Sequence, residues 1–341
     1  MLRSFGLLKD GRSVEAITLG DESGLQLEVL TYGAILRRLS LPVHGARRDL
    51  ILHFDRLEHY EGDRAYVGSL VGRFGNRIAG GRFELDGRTH QLTANEGVNH
   101  LHGGALGFGK RLWRVLDIRE NPGNRVVLGY HSPAGEEGYP GTVEATAELE
   151  VTGDALSITL SARSDAATPI NLTYHPYFNL DASQPAIDQR LRIPAQHYLP
   201  VVAGLIPTGE IAPVEGTTFD FRTSRPLGPP ALQSHPQLGL AGGYDHCWVL
   251  DPHADCACEL ASPDREVTLT MSGGPSLQFY NGQYLSHTHP TLGSGVILEP
   301  QGFPNAVNEA HFPPAILRPG EVYRADIEYR LATGPAARQS D

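Results

Sequence analysis

Lysine is almost missing from this chain. Lys9 and Lys110 are the only two, so the other 26 of its 28 basic residues are arginine. Acids outnumber bases, 39 to 28, for a formal net charge of -11. A protein that tracks nucleic-acid phosphates needs the opposite balance, so no nucleic-acid partner is expected. Cysteine is scarce too, at Cys247, Cys256 and Cys258. An odd number, two of them only two residues apart, makes a poor disulfide framework. The spacing also falls short of the two-residue gap usual in zinc sites. Free thiols in a reducing cytoplasm are the simplest reading. No run approaches the roughly 20 apolar residues of a membrane span. Charges at Arg3, Lys9, Asp10 and Arg12 leave no apolar stretch for a signal peptide. No membrane partner is expected, and a cytoplasmic location is.

Long helices, heptads and repeats are also absent. What fills the chain instead is short strand patterns separated by turn residues. Val14–Leu19 and Leu25–Thr31 flank a glycine-bounded turn, and Arg82–Leu85 and Thr89–Leu92 flank Asp86-Gly87, a strong hairpin signal. Strands are further expected across Trp113–Ile118, Arg125–His131, Thr142–Val151 and Ala155–Ala162. They resume at His246–Leu250, Ala257–Leu260, Glu266–Met271, Ser276–Tyr280, Gly295–Glu299 and Val322–Arg330. Asp55–Gly62 is a modest helical candidate. Glu136 and Glu137 lie in a loop and read as solvated. His197–Arg222 reads as a long surface connection at a sheet edge. Ser224–Gly242 is rich in Pro and Gly, but strands continue on both sides, so no domain boundary is placed there. The expected fold is all-β, a large antiparallel β-sandwich formed by one domain over residues 1–341, with 332–341 as a frayed tail.

Four polar residues stand out by their setting. His175 follows a β-forming run and precedes Pro176, which cannot donate to a ladder, so a strand must end or bend there. Glu299 ends the apolar run Val296-Ile-Leu, with Pro300 expected to stop the strand. Burial there raises a carboxyl pKa. Asp245 enters a strand beside Trp248, and Gln278 sits inside Ser276–Tyr280. Each alone reads as an ordinary strand-end polar residue. Together they supply a base, an acid and hydrogen-bond anchors, the inventory of a sugar site. His100 and His102 lie two apart in a glycine-bounded loop; a metal pair is the weaker reading, since no third ligand stands out. The glycines around Gly72-Arg-Phe-Gly-Asn-Arg-Ile78 suggest a phosphate loop only weakly, because no Gly-Lys-Ser/Thr follows.

These segments and several others occur in a recognisable order: Gly72–Ile78, Leu101-His-Gly-Gly104, Glu136–Gly141, Asn171–Leu180, Ile206-Pro-Thr-Gly209, Tyr244-Asp-His246, Gln278-Phe-Tyr280 and Leu298-Glu-Pro-Gln301. In that order, from about Phe5 to Leu331, the chain resembles the aldose 1-epimerase, or galactose mutarotase, family. The resemblance implies a β-supersandwich and interconversion of the α and β anomers of a free aldose such as galactose or glucose. It implies neither cofactor nor catalytic metal. It makes Glu299 the general base and His175 the general acid, with His102 as the second catalytic histidine. It places Asn76, Arg77, Asp245 and Gln278 on the sugar's hydroxyls. Tyr177, Trp248 and Phe303 are candidate covers for the sugar's apolar face. The stretch Tyr284–Pro290 is richer in His than the family pattern, which leaves His287 and His289 without a role. Monomer and homodimer both fit. A phosphorylated hexose as substrate would need extra arginine at the mouth of the site. A glycosidase would need Asp245 as a second catalytic carboxylate. A non-catalytic sugar-binding module would need neither Glu299 nor His175.

Overall fold

The computed structural model describes residues 1–119, 124–228 and 235–334. Three antiparallel sheets account for most of it. A five-stranded meander runs through Leu2–Leu7, Ser13–Gly20, Gln26–Leu30, Leu36–Val43 and Ala46–Asp49. A nine-stranded sheet has the spatial order Arg114–Arg119, Asn124–Ser132, Val143–Thr152, Ala155–Ser164, Tyr323–Thr333, Val267–Gly273, Cys258–Ala261, Arg190–Arg192 and Arg225–Pro226. A six-stranded sheet has the order Tyr177–Phe178, Val296–Gln301, Ser276–Tyr280, Asp245–Val249, His197–Leu199 and Ala212–Pro213. One hydrophobic cluster draws on all three, including Leu27, Leu39, Val126, Leu149, Leu160, Leu269, Leu277 and Leu298. The expected sandwich of antiparallel sheets is what forms. Among the described residues no helix is long and apolar enough to cross a membrane.

Alternation along the strands explains why the six-stranded sheet carries the site. Gln278 pairs with Glu299 and Asp245 with Tyr280. Residues opposite one another, or two apart on one strand, share a face. Glu299, Gln278, Tyr280 and Asp245 therefore stand on one face. Leu277, Phe279, Trp248, Val296 and Leu298 stand on the other and enter the core.

Several expectations need correcting. Strand Val296–Gln301 does not stop at Pro300, which pairs with Leu277 inside the ladder. The other flank of this strand is paired only at Val296 and Ile297, so Pro300 lies beyond that ladder's last pair. The connection His197–Arg222 is not merely superficial: Phe219 and Phe221 are fully buried, and Phe219 stacks on Tyr198 at 4.1 Å. Short helices at Pro236–Ala241 and Leu285–Thr288 had no sequence expectation. Ala332 and Thr333, expected in the tail, finish the strand Tyr323–Thr333; residues 335–341 lie outside the described part.

The Gly72–Ile78 segment is held from below by Arg73, 1% exposed. Its guanidinium donates to the carbonyls of Ser132, Pro133, Pro140 and Gly141 and to the hydroxyls of Ser132 and Thr168, at 2.9–3.3 Å. Glu136, expected in solvent, instead has a 7%-exposed side chain that accepts from Tyr130 and Ser132 and forms an ion pair with Arg111. Glu137 accepts from the backbone N–H groups of Ala105 and Leu106. The glutamates thus brace the loop that Arg73 grips. Arg73→Met leaves those buried oxygens without donors and is expected to cost roughly 3–5 kcal/mol. Urea unfolding checks this; a loss under about 1 kcal/mol would show that the clamp is dispensable.

Candidate active site

A cavity of about 230 Å³ opens over the functional face of the six-stranded sheet. Its walls include Asn76, Arg77, His102, His175, Asp245 and Glu299. These come from five separate segments, so only folding brings them together. A larger groove of about 620 Å³ lies elsewhere, lined by Gly20, Leu41, Val151, Asp154 and Thr333 among others. It contains no histidine and no buried polar side chain, and we assign it no chemistry.

His175 sits where the chain changes sheets. Thr173–Tyr174 pairs with Leu70–Val71, and Tyr177–Phe178 pairs with Val296–Ile297. His175-Pro176 is the corner between them, as the proline suggested. The backbone N–H of His175 donates to Ser69 O, and its carbonyl accepts from Gly68 N, both at 3.0 Å. His102 arrives from the glycine loop. Its neighbour Gly103 has φ 83°, and a Cβ there would fall 1.7 Å from Gly72 O, so only glycine fits. Asn76 and His102 both adopt left-handed backbone, φ 63° and 52°. They bond to each other: His102 N donates to Asn76 O at 3.1 Å, and Asn76 N donates to His102 Nδ1 at 3.2 Å. Because Nδ1 must accept, the ring proton is on Nε2. Strained non-glycine residues of this kind concentrate at functional sites.

The loop's other histidine is spoken for. His100 Nδ1 meets Thr93 O at 2.7 Å, and Nε2 meets the Tyr139 hydroxyl at 2.7 Å. The two-histidine metal reading therefore fails for His100. Instead the donor atoms of His102, His175 and Glu299 lie within 4.8 Å of one another. Two histidines and a carboxylate form a set that suits zinc, but Arg77's nearby positive charge opposes a cation there.

Electrostatics in the cavity is dominated by burial. It pushes Glu299 well above the ordinary carboxylate range, helped by the negative charge of Asp245 and opposed by Arg77. Burial lowers His175 to about 4, with Asp63 acting the other way. Burial also drives His102 well below the usual imidazole value, with His175 and Arg77 adding to it. The same effect raises Asp245, against Arg77 and the Gln278 hydrogen bond. Burial works against the charge of Arg77, but Asp245 and Glu96 outweigh it. Arg77 forks onto Glu96 with two 2.7 Å bonds and lies 3.7 Å from Asp245. Gln278 sits behind the wall and donates to Asp245 Oδ1 at 2.6 Å. Buried and without a hydrogen-bond partner are His175 Nδ1, Glu299 Oε1 and Gln278 Oε1. Orphaned buried polar atoms are rare, and the two on the cavity wall, His175 Nδ1 and Glu299 Oε1, suit a hydroxyl-rich ligand.

Several wall residues escaped sequence reasoning. Tyr66, with φ 57°, sets its ring 4.7 Å from that of His102 and 5.8 Å from that of His175. No local sequence signal marks a tyrosine that must adopt a left-handed backbone. Nothing in the sequence around Glu96 marks it as the partner of Arg77. Tyr280 and the rim residues Tyr284, Leu285 and Thr288 also line the cavity. Of the aromatic covers expected, Tyr177 lines it. Trp248 is fully buried, donating to Phe219 O at 3.0 Å, and Phe303 packs on Phe312 at 5.1 Å. His287 is exposed and off the wall, and His289 reaches Asp63 at 2.8 Å.

The family model of aldose 1-epimerase matches residues 15–330. The galactose mutarotase of Sus scrofa is 38% identical over 336 residues, covering 94% of this chain and 94% of its own. The aldose 1-epimerase of Escherichia coli is 35% identical over 341 residues, covering 95% of this chain and 97% of its own. Among solved structures, a galactose 1-epimerase from Lactobacillus acidophilus superposes with TM-score 0.87 at 30% identity over 98% of both chains. With a sheet register, a cavity and a full-length sequence match all in agreement, the chain belongs to the aldose 1-epimerase family.

Proposed function

We propose that this protein is an aldose 1-epimerase that interconverts the α and β anomers of free aldoses such as galactose and glucose. The observation that carries the reading is the convergence of Glu299, His175 and His102 in one cavity, with unpartnered atoms on Glu299 and His175. Two arginines line the cavity, and Arg77 is engaged by Glu96 and Asp245. That leaves Arg64 at the mouth. One exposed guanidinium is poor provision for a phosphate dianion, which supports a neutral sugar over a phosphorylated one. Asp245, tied to Arg77 and Gln278, is suited to a sugar hydroxyl rather than to glycosidase chemistry. The core shared by the three sheets supports one working domain, and three buried free cysteines fit a cytoplasmic setting.

In this reaction only protons move. Glu299 takes the proton of the anomeric hydroxyl while His175 delivers one to the ring oxygen. The C1–O5 bond breaks, leaving an aldehyde. Rotation about C1–C2 presents the other carbonyl face, and the reverse transfers close the ring. His102, a neutral Nε2–H donor, and Arg77 stabilise negative charge developing on oxygen. Asn76, Arg77 and Asp245 anchor hydroxyls, Gln278 fixes Asp245, and Tyr177, Tyr66 and Tyr280 offer ring surfaces to the sugar's apolar side. No electron or group leaves the sugar, so the chemistry calls for no redox or transfer cofactor.

Burial pushes both groups toward their neutral forms, Glu299 by holding a proton and His175 by giving one up. The reactive arrangement, carboxylate and imidazolium, is reached by moving a proton from Glu299 to His175 across the short gap between them.

Fresh α-D-galactose or α-D-glucose should reach its equilibrium rotation faster with the protein than without, and a panel of free aldoses showing no acceleration would reject the function. Glu299→Gln and His175→Asn should each lower kcat by about 10²–10⁴ with the fold intact by circular dichroism. Near-normal turnover in either variant would remove it from the acid–base pair. The rate should fall as pH drops toward about 4, where His175 takes up a proton while burial keeps Glu299 protonated. An acid limb centred near an ordinary histidine value of about 6.5 would contradict the burial of His175.

A further inference from the structure

Asp63 is a buried carboxylate that the reaction does not use. It is 3% exposed and is not part of the cavity wall. Its Oδ1 accepts from Ala65 N at 2.7 Å and from His289 Nε2 at 2.8 Å, and its Oδ2 accepts from Val67 N at 2.8 Å. Its backbone carbonyl accepts from Lys110 Nζ at 2.6 Å, and the same ammonium reaches Tyr60 O at 2.8 Å. Four donors thus hold one residue in place.

The loop so held is the one that grips His175. Gly68 and Ser69 make both backbone hydrogen bonds of His175. Between them and Asp63, Tyr66 lays its ring against His102 and His175. Ala65 O accepts the Tyr177 hydroxyl at 3.1 Å, and Tyr177 packs edge-on against His175 at 5.3 Å. On the opposite side, Asp63 holds His289. The His289 N–H donates to Leu285 O at 2.7 Å and ends the helix Leu285–Thr288, whose Leu285 and Thr288, with Tyr284, form part of the cavity rim. One carboxylate therefore links the support of the proposed acid to part of the cavity rim.

We infer that Asp63 and His289 are paired positioning residues of the sugar site: Asp63 aims His175 through the 63–69 loop, and His289 docks the 284–289 rim over the cavity. The inference rests on the mutarotase reading. It gives His289 a function and leaves the exposed His287 without one.

The two halves of the pair separate kinetically. Polarimetry of α-D-glucose or α-D-galactose with the full chain should show His289→Ala raising KM about fivefold with kcat little changed, the mark of binding lost equally in ground and transition states. His289→Gln places an amide N–H near the position of Nε2 and should return KM to the wild-type range. Asp63→Asn turns one acceptor oxygen into a donor facing N–H groups, and the shifted loop should lower kcat about tenfold or more. Should Asp63→Asn fail to fold, the His289 pair decides alone. Wild-type KM in His289→Ala overturns the inference. So does a raised KM that His289→Gln leaves uncorrected, because the effect is then one of packing against Phe54, whose ring His289 meets edge-on at 4.9 Å. Wild-type protein without any mutarotation would instead reject the function itself, which keeps the two failures apart.

Discussion

The register between strands Ser276–Tyr280 and Val296–Gln301 is the constraint on which the site depends. Gln278 opposite Glu299 puts both on the cavity face and leaves Leu277, Phe279 and Leu298 in the core. Slipping one strand by a single residue would send Glu299 into the apolar layer and Leu298 into the cavity. The hydrophobic pattern that stabilises the sandwich is therefore the same pattern that aims Glu299 into the cavity. The neighbouring strand Asp245–Val249 obeys it too, with Trp248 inward and Asp245 outward.

That placement creates the electrostatics. A carboxyl and two imidazoles taken out of water favour their neutral forms, and the directions found for Glu299, His175 and His102 all follow from burial first. Arg77 is the exception that stays charged, since Glu96 and Asp245 compensate for its desolvation. A site with one fixed cation beside a buried carboxyl and two buried imidazoles suits a reaction whose entire content is proton relocation. It also makes geometry decisive, because a proton crosses only a short, well-aligned gap.

The loops around the sheet serve that alignment. Arg73 ties the 72–78 segment to the 132–141 loop through five hydrogen bonds and to Thr168 through a sixth, which fixes Asn76 and, through it, His102. The 63–69 loop does the same for His175 from the other side. Polar side chains outside the cavity thus brace its walls, and they do so by satisfying backbone groups that would otherwise be buried alone.

Much of this was legible in the chain itself. Alternating short strands and turn residues determined an antiparallel all-β fold, because period two with one buried face has few other solutions. The ordered motifs determined the family, and Pro176 marked the corner at His175. Pro300 misled, because a proline ends a strand only where its missing N–H is needed, and that depends on which neighbour lies beside it. Glu136 looked solvated because its partners Arg111, Tyr130 and Ser132 are brought to it only by folding. Tyr66, Glu96 and the Asp63–His289 pair stayed invisible for the same reason: Asp63 and His289 are 226 residues apart along the chain and 2.8 Å apart in space. The sequence alone determined which residues are chemically fit to move a proton. Tertiary structure alone decided which of them are dried, paired and aimed, because burial and contact belong to the folded chain.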